Sequence, residues 1–249
     1  MKTIKRIAII GATSSIAEHC ARQWATQESV ELILVGRNQN KLEIVCADLL
    51  ARSPTTKVQI VSADFIDPKV IGETVATLFV TGPIDIALIA HGTLPDQKDC
   101  QSDLGLTQST LEINGVSPAL YAEAFALHMD KLGRGSIAII GSVAGDRGRK
   151  SNYIYGAAKG LVTRYAQGLQ HRFANTNINV TLIKPGPTNT PMTAAMKGSE
   201  KFATPEEVAK LIISGIETKK AVVYAPKKWW LIMMVIRHLP SFIFNKMNI

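Results

Sequence analysis

The stretch IAIIGATSSIAEHCARQWA (7–25) runs from an unbroken apolar segment through one glycine and a short polar turn into apolar residues at helical spacing. Four apolar residues in a row ahead of a turn read as a strand buried on both faces. Gly11 lets the backbone approach a ligand closely, and a helix starting just after it offers unpaired amides and the positive end of its dipole to an anion. Thr13, Ser14, Ser15 and Ile16 join Gly11 as candidate phosphate contacts. Taken alone, the turn fits a purely structural role nearly as well.

The same strand-and-helix unit recurs. LILV (32–35), VQIV (58–61), IDIALIA (84–90), SIAII (136–140), NVTLI (179–183) and AVVY (221–224) alternate with helical segments. The expected fold is α/β: a single doubly wound Rossmann-type domain, a parallel seven-stranded sheet with helices on both faces. At 249 residues, 46% of them hydrophobic, the chain is long enough for one sizeable core, and no low-complexity linker or internal repeat divides it. The domain is expected over 1–225, with an apolar and basic C-terminal extension over 226–249.

Cys20, Cys46 and Cys100 are odd in number, widely spaced and without a CxxC, the pattern of reduced thiols in a cytosolic-facing protein. The histidines His19, His91, His128, His171 and His238 form no ligand-spaced cluster, so no metal is expected. Lys2, Lys5 and Arg6 precede an apolar run too short for a signal-peptide core, which favours a first strand and a cytoplasmic location. The formal net charge of +8 raises the question of nucleic acid. No nucleic-acid motif or aromatic stacking pattern accompanies it, and no such partner is expected.

Near the middle of the chain, Tyr155 and Lys159 lie four apart in SNYIYGAAKGLVTRYAQGL and project from one helix face. An ammonium stabilises a phenolate beside it: at about 4 Å and an effective dielectric of about 20 the attraction is about 4 kcal/mol. Such a tyrosine could exchange a proton with a carbonyl or alcohol oxygen near neutral pH. Tyr153 lies six residues before Lys159 and faces elsewhere on the helix. Ser142 ends SIAIIGS, at a strand's carboxyl end, where parallel α/β sheets bind ligands.

With these residues in place, the chain resembles the short-chain dehydrogenase/reductase family over roughly residues 4 to 225. The resemblance implies a catalytic set in which Ser142 orients the substrate carbonyl and Tyr155 donates or removes the proton. Lys159 would hold the nicotinamide ribose and lower the tyrosine pKa, while Asn114, in LEINGVSP, anchors a water that leads protons away. The family pattern TGxxxGxG is altered here: Ile10 replaces the threonine, Ser15 the second glycine and Ala17 the third. The family's NNAG appears as Ile89, Ala90, His91 and Gly92, which leaves His91 and Gly92 as candidate cofactor contacts or as structure only.

Cofactor choice falls at the end of the second strand, in ELILVGRNQNKL, where NAD-specific relatives carry an acid that repels a 2′-phosphate. This chain has Gly36, Arg37 and Asn38, and a guanidinium pairs with phosphate in bidentate fashion, so NADP(H) is favoured over NAD(H). Asp64 resembles the family's adenine-contacting aspartate, with capping of the next helix as its ordinary alternative. In IKPGPTNTPMTAAM, Pro185 and Gly186 match the family's PG turn. Thr188 and Thr190 are further cofactor candidates, Thr190 at the position that contacts the nicotinamide carboxamide. A substrate lid is expected over about 187–203, with Met192 and Met196 as an adaptable apolar wall.

The tail, KKWWLIMMVIRHLPSFIFNKMNI, is apolar all round a helix from 229 to 236, so burial in protein or lipid is expected. As a helix those residues span about 12 Å against a bilayer core of about 30 Å, too short to cross. Paired tryptophans and flanking cations suit peripheral contact of 229–244 with anionic lipid at the inner face of the cytoplasmic membrane. The alternative is burial in a homodimer or homotetramer. GDRGRKSNYIYGAAKG and the tail resemble a bacterial subgroup similar to the keto-reductase half of the decaprenylphosphoryl-ribose epimerase. That implies a lipid-linked ketone substrate, a 2-keto pentose on a polyprenyl phosphate, whose phosphate Arg147, Arg149 and Lys150 could pair. Two alternatives stay open: a soluble reductase of small ketones or 3-oxoacyl thioesters, and a non-enzymatic NADP(H)-sensing module.

Overall fold

A computed structural model describes residues 4–27, 30–196 and 198–247. Lys2, Lys197 within the expected lid and the last two residues of the expected extension lie outside the described residues. Seven strands, β1 (Lys5–Ile10), β2 (Val30–Gly36), β3 (Lys57–Ser62), β4 (Ile86–Ile89), β5 (Arg134–Ile140), β6 (Asn177–Pro185) and β7 (Val222–Ala225), form one sheet in the order β3-β2-β1-β4-β5-β6-β7. Every pairing is parallel, as the run of both-face-buried strands predicts.

Alternation along each strand divides the core in two. Ile7, Ile9, Leu32 and Leu34 point to one face, under α1 (Ser15–Gln27), α2 (Gln39–Arg52) and α8 (Pro205–Glu217). Ala8, Ile10, Ile33 and Val35 point to the other, under α3 (Pro68–Val80), α6 (Ser117–Leu132) and α7 (Tyr153–Arg172). Two shorter helices, α4 (Gln97–Ser102) and α5 (Leu104–Leu111), precede α6. The strand order reverses between β1 and β4, which opens a crevice at the carboxyl ends of the strands.

Two local devices place α7. Between α5 and α6 the chain makes a π turn over Glu112–Val116, a single wide turn of the kind often found at functional sites. Where β5 meets α7, glycine permits backbone contact: a Cβ on Gly145 would lie 2.5 Å from the Lys159 carbonyl oxygen, and one on Gly156 would lie 3.0 Å from the Ala144 oxygen.

The extension forms α9 (Lys228–His238) and α10 (Ser241–Phe244). The expected burial of its apolar stretch is met only in part within one chain, because a single helix laid on the body covers one face: Met233 is buried, while Trp230 is 55% and Phe242 70% exposed. The indole of Trp229 packs on Gly186, where an added Cβ would lie 1.9 Å from Nε1. Among the described residues no helix is long and apolar enough to cross a membrane.

Replacing Gly145 with alanine forces β5 and α7 apart and should destabilise the fold by about 1–3 kcal/mol. Gly148→Ala, with nothing within 4 Å of the added carbon, should stay close to wild type. Urea unfolding of the two variants measures the difference.

Candidate active site

The strand ends open onto a cavity of about 890 Å³. Asn114, Ser142, Tyr155 and Lys159 all line it, so the π turn, the end of β5 and the first two turns of α7 meet there. Ser142 accepts from the Ala144 amide at 3.1 Å and donates to the Tyr155 phenol. Lys159 is 2% exposed and donates from Nζ to the Ile140 carbonyl at 3.0 Å. Its ammonium lies 5.8 Å from the Tyr155 ring centroid. Tyr153 is exposed on another face and does not line the cavity.

Asn114 is fully buried. Its Oδ1 accepts from the Thr93 amide at 2.9 Å, and Nδ2 donates to the Thr110 carbonyl at 2.9 Å. The side chain thereby ties the loop after β4 to the helix line. Gly92 in that loop is pinned, since a Cβ there would lie 2.7 Å from Asn114 Oδ1 and 3.7 Å from Lys159 Nζ.

The protonation of the pair departs from the expectation drawn from the ammonium alone. Burial pushes the Tyr155 phenol up to about 12, against the lowering effect of the Ser142 bond. Burial also pushes Lys159 down to about 8. Desolvation outweighs pair attraction here because both groups lose water while Lys159 directs a proton at the Ile140 carbonyl.

The cofactor candidates divide by what their atoms already do. Gly11 has φ +81, and a Cβ on it would meet the His91 backbone at 2.6 Å, so this close approach admits glycine alone. Thr13, Ser14, Ser15 and Ile16 line the cavity, with Ser14 Oγ capping α1 through the Ala17 amide at 3.3 Å. Arg37, Asn38 and the unanticipated Lys41 line it beyond β2. Arg37 sits 5.9 Å over the Phe65 ring, and Asn38 caps α2 through the Lys41 amide at 3.0 Å. Asp64 is not among the lining residues: its carboxylate accepts from the amides of Ile66 at 2.6 Å and Asp67 at 3.1 Å, bonds that hold it below the usual carboxylate range.

His91 is buried against Phe65, and Nε2 bonds Ser117 Oγ at 2.8 Å. Burial holds its pKa at about 3, so the ring is neutral. Pro185, Gly186, Thr188 and Thr190 line the cavity beside Met192 and Met196. Thr188 Oγ1 bonds the Gly186 carbonyl at 3.0 Å, and Thr190 and Thr193 form a reciprocal cap of the short helix over Pro191–Thr193. The glycine cradle at Gly11 and Gly92, together with the polar walls along the strand ends, fits a dinucleotide.

Of the three basic residues after Ser142, Arg147 is engaged elsewhere. It donates to the carbonyls of Ile236 and Leu239, each at 2.6 Å, and lies 3.7 Å over the Phe244 ring, so it caps α9 and is not available to a substrate phosphate. Lys150 is exposed and does not line the cavity, whereas Arg149 does. Beneath the loop, Lys184 pairs with Asp146, whose other oxygen accepts from Tyr224 at 2.8 Å. Phe65, Lys41 and Asn152 also line the cavity and were not singled out from sequence. A lysine one turn past an N-cap asparagine was the available signal for Lys41.

Residues 5–201 match the short chain dehydrogenase family. An uncharacterized oxidoreductase of Mycobacterium tuberculosis is 30% identical over 97% of this chain and 96% of its own length. One from Streptomyces coelicolor is 27% identical over 98% and 96%. Among solved structures, a short-chain dehydrogenase from Sphingobium yanoikuyae in complex with NADPH superposes with a TM-score of 0.82 at 23% identity, over 98% of this chain and 97% of that one. The last shares the fold.

Lys159 binds fewer protons folded than unfolded between about pH 8 and its ordinary pKa of 10.5. The sign of linkage follows: stability rises with pH across that window, by up to about 1.4 kcal/mol per pH unit. Urea unfolding at stepped pH should show this rise in the stability difference between wild type and Lys159→Met, because the raised Cys20 thiol and Tyr155 phenol, common to both, act with the opposite sign above about pH 9.

Proposed function

This chain belongs to the short-chain dehydrogenase family, and we propose that it is an NADPH-dependent carbonyl reductase working at a membrane surface on a lipid-linked keto-sugar. One observation carries the reductase reading: Ser142, Tyr155 and Lys159 share a single cavity with Arg37, Asn38 and Lys41. The two groups follow β5 and β2, three strand spacings apart or about 14 Å, the reach of an extended dinucleotide.

Gly11 and Thr13 to Ile16 would hold the pyrophosphate, Arg37, Asn38 and Lys41 the 2′-phosphate, and His91 and Gly92 the adjoining ribose. Pro185, Gly186, Thr188 and Thr190 would hold the nicotinamide. When bound, that group supplies hydride to the ketone carbon. Ser142 orients the carbonyl oxygen, and Tyr155 gives it a proton as charge develops. Lys159, protonated below about pH 8, stabilises the phenolate left behind. Asn114 Oδ1 keeps a second lone pair for a water that returns the proton. The NADPH bound in the Sphingobium relative supports the cofactor reading.

The membrane reading rests on the outward face of α9 and α10, where Trp230, Leu231, Val235 and Phe242 are exposed beside Lys227, Lys228, Arg237 and Lys246. An apolar strip bordered by cations suits an anionic lipid surface. The resemblance of the loop and tail to the epimerase reductase supports the keto-sugar, and a docked active site would meet a lipid-borne ketone directly.

Tyr155→Phe should lower turnover by about 10²–10⁴-fold and leave NADPH affinity unchanged, as read by NADPH oxidation and fluorescence titration. Arg37→Ala should raise KM for NADPH and leave that for NADH near wild type. In flotation, the protein should rise with phosphatidylglycerol vesicles. Protein that stays at the bottom as a dimer or tetramer would instead mark the soluble reductase of small ketones or 3-oxoacyl thioesters.

A further inference from the structure

We propose that Arg149 and Asn152 form a recognition subsite for a hydroxylated ketone carrying a phosphate, a reading that rests on assigning the cavity to ketone reduction. Both residues line that cavity, in the segment between Ser142 and Tyr155. Arg149 Nε is shielded from solvent, yet no described residue accepts a hydrogen bond from it or pairs a carboxylate with the guanidinium. Its charge persists in this setting, because a guanidinium does not lose its proton in proteins. A half-buried cation without a counter-ion is unfavourable unless a ligand supplies the anion. The neighbouring cations differ: Arg147 is spent on the carbonyls of Ile236 and Leu239, and Lys184 on Asp146.

Asn152 adds the complementary group. Its Oδ1 is buried without a donor, although the residue occupies the N-cap position of α7, where an asparagine ordinarily bonds a helix amide. The Ile154 amide is served instead by Gln97 Oε1 at 3.2 Å. A donor fork in the loop ahead of α7 and a free acceptor at its N-cap, three residues apart and lining the same cavity as Tyr155, match an oxyanion and a hydroxyl on the same substrate. Leu94, Pro191, Met192 and Met196 supply the apolar remainder of the wall. The phosphate belongs either to a soluble sugar phosphate or to a prenyl phosphate headgroup.

Calorimetric titration of the NADP⁺-loaded enzyme with dihydroxyacetone, dihydroxyacetone phosphate and farnesyl phosphate tests the subsite. Dihydroxyacetone phosphate should bind at least about ten-fold more tightly than dihydroxyacetone, the scale of one charge-assisted hydrogen bond. Arg149→Gln should erase that preference, Arg149→Lys should keep part of it, and Asn152→Asp should erase it by giving the arginine an internal partner. NADP⁺ affinity should be unchanged in all three. If farnesyl phosphate shows the same Arg149 dependence, the anion is lipid-borne; if only dihydroxyacetone phosphate shows it, the anion is on a soluble sugar. Equal binding of the two small ketones by wild type, or a preference that survives Arg149→Gln, overturns the proposal. Because binding is the readout, an enzyme that, loaded separately with NADPH, reduces neither of the two ketones would count against the reductase reading and leave the subsite intact.

Discussion

A single hydrogen bond, from the Lys159 ammonium to the Ile140 carbonyl, fixes the relation between the last residue of β5 and α7. It requires α7 to approach the strand end at backbone distance, which Gly145 and Gly156 permit. It also places a cation where water is scarce, buried beside a phenol that is partly exposed to the cavity. Ser142 and Asn114 complete that environment from opposite sides, one bonded to the phenol and the other holding Gly92 against the ammonium.

The glycine turn shows how few residues such a site fixes absolutely. Gly11 alone combines a positive φ with direct backbone contact, so no side chain fits there. Ala17 is fully buried in the core below, where a methyl group packs as filler, and Ser15 lines the cavity with a hydroxyl. The two departures from the family's glycine pattern thus fall where a small side chain meets packing or a polar wall.

The sheet was legible because parallel strands buried on both faces leave apolar runs that no surface element imitates. The pairing of Tyr155 with Lys159 was legible because helical geometry alone brings positions four apart together. Other features arise between distant segments. EINGV carries no mark of the extra residue in its turn, and Asn114 is bonded to Thr93 and Thr110, contacts that only the folded chain creates. Asp64 offered two readings from sequence, and in the fold its Oδ1 accepts from the local amides of Ile66 and Asp67, while Asp67 takes the N-cap of α3. Pair attraction can be read from spacing, whereas desolvation depends on every neighbour, which is why Tyr155 stands above its ordinary value.

Arg147 and Gly186 lie on two loops beside the cavity, and both carry the C-terminal segment: Arg147 through the carbonyls of Ile236 and Leu239, Gly186 under the Trp229 indole. The tail is therefore not a detachable module. Grafting it onto another member of the fold would require an arginine and a bare backbone at those two places, so the three parts can only be inherited, or engineered, together.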